Sequence, residues 1–303
     1  MKITHLDDLV SEAKKMINKT TIAVVEAHDE QTLESVLDAV NNGIITPLLI
    51  GNRNKITEIL TKLEADPSGF EILESSGGAE ESLKLAIGSV NSGEATAVMK
   101  GKLGSADFMR AIVKKENGLL AGARLSVAGL FTPPQYHKLI CVSDIALNMY
   151  PDLDEKKAII INAVKMLNSL GVEKPKTAVL TSVEKMNRKM PETVDADALK
   201  AMYLKGEIEN CVVEGPISFD LATSPESAKT KGYESPVAGD ADILIVPDIT
   251  AGNILAKSLT GMGGARTAGA ILGAKVPIIL TSRSAEASDK FYSIALAACI
   301  GRN

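Results

Sequence analysis

The chain has 303 residues, 45% of them hydrophobic, and carries 33 Lys and Arg against 38 Asp and Glu for a net charge of −5. That length and apolar content bury a large core in one big or two medium domains. Basic residues are spread along the chain, no apolar run reaches the roughly 18 to 20 residues of a membrane span, and the N-terminus lacks a signal peptide's apolar stretch. Nucleic-acid and membrane partners are therefore not expected, and a cytoplasmic location is.

Short apolar, β-branched runs recur along the chain. They are TIAVVEA (21–27), TPLLIG (46–51), ATAVMKG (95–101), RLSVAGLF (124–131), KLICVSD (138–144), KTAVLTS (176–182), NCVVEG (210–215), DILIVPD (242–248) and VPIILTS (276–282). Segments with helical spacing lie between most of them, including 29–43, 80–93, 155–171 and 248–259. Buried strands alternating with amphipathic helices predict an α/β protein with a largely parallel sheet. The strands at 124–131 and 138–144 are joined by TPPQYH, turn chemistry rather than a crossover helix, which predicts a domain boundary there. The expected division is a first α/β domain over 1–133, completed by about 285–303, and a second over 134–284, with a cleft between them.

Ligands of open α/β sheets sit at the C-terminal ends of strands, so functional residues are sought there. In VMKGKLGSADFMRAIV (98–113) a strand ends in a Gly-containing loop, Ser105 is placed to cap the next helix and Arg110 lies in its second turn. Exposed N–H groups and the helix dipole favour an anion there; the competing reading is an ordinary capped helix with a surface Arg. In VPDITAGNILAKSL (246–259), Asn253 and Lys257 share one helical face, which a solvated face also explains. In PIILTSRSAEASDKF (277–291), Ser282, Arg283 and Asp289 gather where a strand gives way to a helix. The glycines of GMGGARTAG (261–269) match neither a dinucleotide fingerprint nor a phosphate-binding loop and are read as close packing or a turn. Cys141, Cys211 and Cys299 lie apart in apolar surroundings and are read as buried reduced thiols; neither they nor the three histidines have metal-ligand spacing.

Taken in order, MKGKLGSADFMRA, LFTPPQYHKLICVSDIALNMYPD, EGPISFDLA, SPVAGDADILIVPDITAGNILAKSL and GAKVPIILTSR resemble the phosphate acetyl- and butyryltransferase family, most closely its short butyryl members. The resemblance runs from about Ala95 to the C-terminus. It implies two α/β domains around a cleft with an isocitrate/isopropylmalate dehydrogenase-like fold, a homodimer, and the reversible reaction of acyl-CoA with phosphate to give acyl phosphate and CoA. It implies no metal or redox cofactor, coenzyme A being substrate or product. By motif it puts Ser282, Arg283 and Asp289 beside the CoA thiol and Ser105 and Arg110 at the phosphate or acyl phosphate, with Asn253 and Lys257 as further substrate contacts. The segment RLSVAGLF departs from the butyryl pattern, so acyl length stays open between butyryl and acetyl. A non-catalytic acyl-CoA-binding regulatory protein and a nucleotide-dependent dehydrogenase are the alternatives from other classes.

Overall fold

The computed structural model describes residues 3–120, 122, 124–281 and 286–301. The strands in chain order are β1 (Thr20–Val25), β2 (Ile45–Gly51), β3 (Glu71–Glu74), β4 (Ala97–Lys100), β5 (Ser126–Thr132), β6 (Ile140–Ser143), β7 (Lys176–Leu180), β8 (Val212–Ile217), β9 (Ile243–Ile245), β10 (Arg266–Leu272) and β11 (Ile278–Ile279). The helices are α1 (Leu6–Lys14), α2 (Glu30–Asn41), α3 (Arg53–Lys62), α4 (Ala79–Asn91), α5 (Ser105–Val113), α6 (Leu153–Ser169), α7 (Pro191–Leu204), α8 (Phe219–Thr223), α9 (Pro225–Thr230), α10 (Ile249–Gly261) and α11 (Ala287–Ile300). The mixed α/β class read from the alternation of apolar runs and helical spacing is the observed one.

Two compact units divide the chain. The N-terminal unit holds residues 7–123 and 268–303, and the central unit holds 1–6 and 124–267. The expected boundaries at 133/134 and 284/285 thus lie at 123/124 and 267/268. The physical reason is pairing: β5 and β6 are an antiparallel hairpin, with Ala128 opposite Ser143 and Phe131 opposite Ile140, so TPPQYH turns the chain within one unit.

In the N-terminal unit the strand order is β3, β2, β1, β4, β11, β10. All neighbours are parallel except β10 and β11. The side chains of β1 (TTIAVV) are almost all buried, as a strand covered by helices on both faces requires. Asp29 starts α2 by accepting the N–H of Thr32 at 2.9 Å, satisfying one of the helix's orphan donors. Helix α11 is apolar nearly all round and almost wholly buried, which is how a helix surrounded by its own unit reads. Its first turn packs on α2, where Ser35 donates to the Ala287 carbonyl at 3.4 Å, and its last turn reaches β1, where Thr20 donates to the Ala298 carbonyl at 3.2 Å.

In the central unit the order is β5, β6, β9, β7, β8, parallel apart from the hairpin. A capping box fixes the start of α6: Asp152 accepts the N–H of Glu155 and Glu155 accepts that of Asp152. Cys141, Cys211 and Cys299 are all buried thiols. Burial pushes the Cys141 thiol up to about 12 and that of Cys211 up to about 11, so neither is a thiolate near neutral pH. Among the described residues no helix is long and apolar enough to cross a membrane.

Candidate active site

At the C-terminal ends of β4 and β11 the N-terminal unit has a cavity of about 510 Å³, lined by Asp29, Gln31, Thr32, the loop Lys100 to Gly104, Thr281 and Lys290. The loop is pinned to β1. Gly101 donates to the Val25 carbonyl and Lys102 to the Glu26 carbonyl, each at 2.8 Å. A Cβ on Gly101 would lie 2.3 Å from the Glu26 oxygen and 2.7 Å from that of Val25, so only glycine lets the chain pass this close to β1. Lys100, 8% exposed, turns its ammonium back into the loop and donates to the carbonyls of Gly101 (3.0 Å) and Leu103 (3.2 Å).

Charge is concentrated in this cavity. Lys290, on the first turn of α11, is 5% exposed and donates to the Gln31 side-chain oxygen at 3.0 Å. The Asp29 carboxylate also accepts the Thr32 hydroxyl at 2.6 Å. Burial pushes the Asp29 carboxyl upward, but its hydrogen bonds from Thr32 and the nearby charges of Lys290 and Lys100 outweigh this and hold it below the usual carboxylate range. Among the described residues, Lys100, Lys102 and Lys290 and the carboxylate of Asp29 line it. Lysines gathered at strand ends favour a small anion there.

Among the described residues, none of the sequence-predicted site residues lines this cavity. Ser282 and Arg283 lie outside the described residues; Thr281, the residue before them, lines the cavity. Asp289 is half-buried on the first turn of α11, directly before Lys290, and its carbonyl accepts the Ser293 hydroxyl at 2.7 Å. The expected capping role of Ser105 is corrected: Gly104 is the N-cap, its carbonyl accepts the first helical bond from Phe108 at 3.0 Å, and Ser105 is the exposed first residue of α5. The helix starts one residue early because Gly104 already has the extended N-cap backbone, with φ −64° and ψ 133°. Arg110 is exposed and ion-paired with Asp107 at 2.8 Å, so contact with an anion in the cavity requires that pair to open.

Asn253 and Lys257 are exposed on α10 in the central unit, and Asn253 approaches the Ile145 carbonyl at 3.5 Å. Asp248 caps that helix, accepting the Ala251 N–H at 2.9 Å. A second cavity of about 710 Å³ lies here, lined by Ala251 and Leu255 rather than by Asn253 and Lys257, together with Tyr150, Leu180, Phe219 and Val246. At its polar edge Lys156 and Asp195 form an ion pair at 2.6 Å. The buried Asp144 holds the loop leading to Tyr150: its carboxylate accepts the N–H groups of Val127, Ala146 and Leu147 at 2.8 to 3.0 Å and the Asn148 side-chain amide at 2.6 Å. Four donors on one carboxylate make Asp144 an organiser of this loop.

Sequence reasoning missed Lys100, Lys290 and Asp29. The signal for Lys100 was a lysine ending an otherwise apolar strand, AVMK, with all four residues buried. Lys290 had a weaker one, a charge at the head of a helix with no polar face. Asp29 was read only as the start of a helix.

The sequence matches the phosphate acetyl/butaryl transferase family over residues 5–84 and 76–298. It is 39% identical over 302 residues to the phosphate butyryltransferase of Clostridium acetobutylicum, with 99% of each chain covered. It is 38% identical over 293 residues to the phosphate acetyltransferase of Thermotoga maritima, covering 97% of this chain and 98% of that one. The crystal structure of a branched-chain phosphotransacylase from Enterococcus faecalis V583 superposes with a TM-score of 0.84 at 30% identity, covering 94% of this chain and 99% of that one. With relatives of this similarity aligned from end to end, the chain belongs to the phosphate acetyl/butyryl transferase family.

Proposed function

We propose that the chain is a phosphate acyltransferase that converts acyl-CoA and phosphate to acyl phosphate and CoA, reversibly, with a short acyl group, butyryl rather than acetyl. The observation that carries this reading is convergence: the loop Lys100 to Gly104 and Thr281, the residue that leads into Ser282 and Arg283, line one cationic cavity at strand ends. The family membership supplies the reaction class.

In that reaction a phosphate oxygen attacks the thioester carbonyl carbon, the C–S bond breaks and the CoA sulfur leaves, to be protonated. Negative charge builds on the carbonyl oxygen and then on sulfur, and preorganised donors and cations lower the barrier where that charge develops. Ser282 is assigned as hydrogen-bond donor to the carbonyl oxygen or thiolate, Arg283 as the charge that offsets the intermediate, and Asp289 as the group exchanging a proton with sulfur. A carboxylate is a weak base for a thiol, so this role requires Asp289 to be desolvated when the substrate is bound. Ser105 and Arg110 contact the phosphate from the mouth of the helix, and Asn253 and Lys257 contact the rest of the substrate.

The isocitrate/isopropylmalate dehydrogenase-like fold and the absence of any metal or redox cofactor are carried by the motif resemblance, and the cytoplasmic location is the expectation from apolar runs too short to span a membrane. A homodimer has support on the surface as well. In the central unit α10 and the turn after it expose Ile254 (61%) and Met262 (88%), apolar side chains that a second copy would cover. The function is tested by thiol release from butyryl-CoA, acetyl-CoA and branched acyl-CoA with and without phosphate. Release should require phosphate, and release equally fast without it would point to a thioesterase instead.

A further inference from the structure

Among the described residues three that are not glycine take a left-handed backbone, Glu26 (φ +54°), Glu64 (φ +59°) and Asn210 (φ +60°). The last two are exposed, whereas Glu26 is 7% exposed and stands directly after β1. A residue with a Cβ is disfavoured in that conformation, and glycine would adopt it freely. Such strain at a buried position persists only where the surroundings hold it in place, and the side chain supplies the hold. Its carboxylate accepts the hydroxyl of Ser82, a fully buried residue of α4, and His28 Nδ1 lies 3.5 Å from the second carboxylate oxygen.

The backbone at Glu26 does what an extended residue could not. Along a strand successive carbonyls point to opposite edges, so after Val25, whose carbonyl accepts the Gly101 N–H beyond β4, an extended Glu26 would face β2. The left-handed turn brings its carbonyl round to accept the Lys102 N–H at 2.8 Å, and Ala27 returns to β2 by donating to the Ile50 carbonyl at 2.9 Å. Glu26 is thus inserted like the left-handed residue of a bulge, and two consecutive carbonyls hold two consecutive N–H groups of the loop Lys100 to Gly104.

Resting on the proposed acyl transfer, we infer that Glu26 is a positioning residue of the reaction. Its side chain, tied to Ser82, maintains the left-handed turn, and the turn fixes the loop that lines the candidate site. Glu26 does not itself line the cavity, and its carboxylate is turned to α4, so it acts through the loop.

The test compares wild type, Glu26→Gly, Glu26→Gln and Ser82→Ala as full chains, at a temperature where circular dichroism shows each folded. Glycine accepts the turn but loses the tie to α4, glutamine keeps an oxygen for the Ser82 hydroxyl, and Ser82→Ala cuts the tie from the other side. With butyryl-CoA and phosphate as substrates, kcat/KM for phosphate should fall about tenfold or more in Glu26→Gly and at least about threefold in Ser82→Ala, and stay within about twofold of wild type in Glu26→Gln. Hydrogen–deuterium exchange of the segment 100–104 should quicken in the first two and not in the third. A residue that merely stabilises the fold would leave the kcat/KM of the folded protein unchanged, and that result, or unchanged exchange of the segment, overturns the inference. So does a Glu26→Gln protein as impaired as Glu26→Gly, which would assign the effect to the charge. If Glu26→Gly does not fold, Ser82→Ala decides by the same two readouts. A wild type without phosphate-dependent release of CoA overturns the functional reading and the positioning role with it, whereas wild-type turnover matched by the variants overturns the positioning role alone.

Discussion

Replacing Gly101 by alanine probes the link between fold and site at a single atom. The added Cβ would sit 2.3 Å from the Glu26 oxygen, 2.7 Å from the Val25 oxygen and 2.9 Å from the Glu26 carbonyl carbon. All three are backbone atoms, so no side-chain rotation relieves the clash and the loop must lift away from β1. Lifting breaks the bonds from Gly101 to Val25 and from Lys102 to Glu26, worth about 1 kcal/mol each, and overpacking adds about 1 to 3 kcal/mol. The expected loss is therefore about 3 to 5 kcal/mol, a large part of a typical stability of about 5 to 15 kcal/mol. Urea unfolding followed by circular dichroism measures it, and kinetics on the folded fraction should show a raised phosphate KM because Lys100 and Lys102 move with the loop. Gly43→Ala is the control: Gly43 has φ +67° and nothing within 4 Å of its missing Cβ, so it should cost only about 1 kcal/mol of backbone strain. A Gly101→Ala protein no less stable than Gly43→Ala, with an unchanged phosphate KM, would refute the close-approach reasoning.

Arg283→Ala should lose about 3 to 4 kcal/mol of transition-state stabilisation in kcat/KM while the protein stays folded, and Ser282→Ala should lose less. Asp289→Asn should lower kcat with CoA affinity intact, and an unchanged kcat would make Asp289 simply a residue of α11. Butyryl-CoA should be preferred over acetyl-CoA by at least about tenfold in kcat/KM, the worth of added methylenes in an apolar pocket, and the reverse order would place the chain with the acetyl enzymes. Burial pushes the Asp240 carboxyl upward, but hydrogen bonds from Lys138, Lys176 and His137 outweigh it and hold the carboxyl well below its ordinary value of 3.8. Its stabilisation is therefore full above the unfolded pKa and lost as pH falls through the folded one. Asp240→Asn should cost about 1 kcal/mol at pH 7, allowing for solvent screening, and the difference from wild type should shrink below about pH 4 in pH-dependent melting curves.

The nine apolar runs were legible because strands buried on both faces are written as continuous β-branched stretches. The two strands that escaped lack that signature. β3 buries only Ile72 at a sheet edge, and β10 reads RTAGAIL, where glycine and an exposed Arg266 disguise the alternation. The glycines read as a turn do flank one, at 262–263, but the chain enters β10 soon after, at Arg266. The anion site was half legible. The strand-to-helix loop at Gly101 announced itself, whereas Lys100 and Lys290 did not, because a buried lysine is written with the same letter as a solvated one. Only tertiary packing brings the heads of α2 and α11 and the end of β4 to the same cavity.

The reaction is tested most directly by product identity. The purified chain, butyryl-CoA and inorganic phosphate should yield free CoA and a hydroxylamine-trappable acyl phosphate in equal amounts, with neither formed when phosphate is left out. Free CoA accompanied by butyrate instead of butyryl phosphate, at a rate indifferent to phosphate, would contradict the assignment of acyl transfer to phosphate.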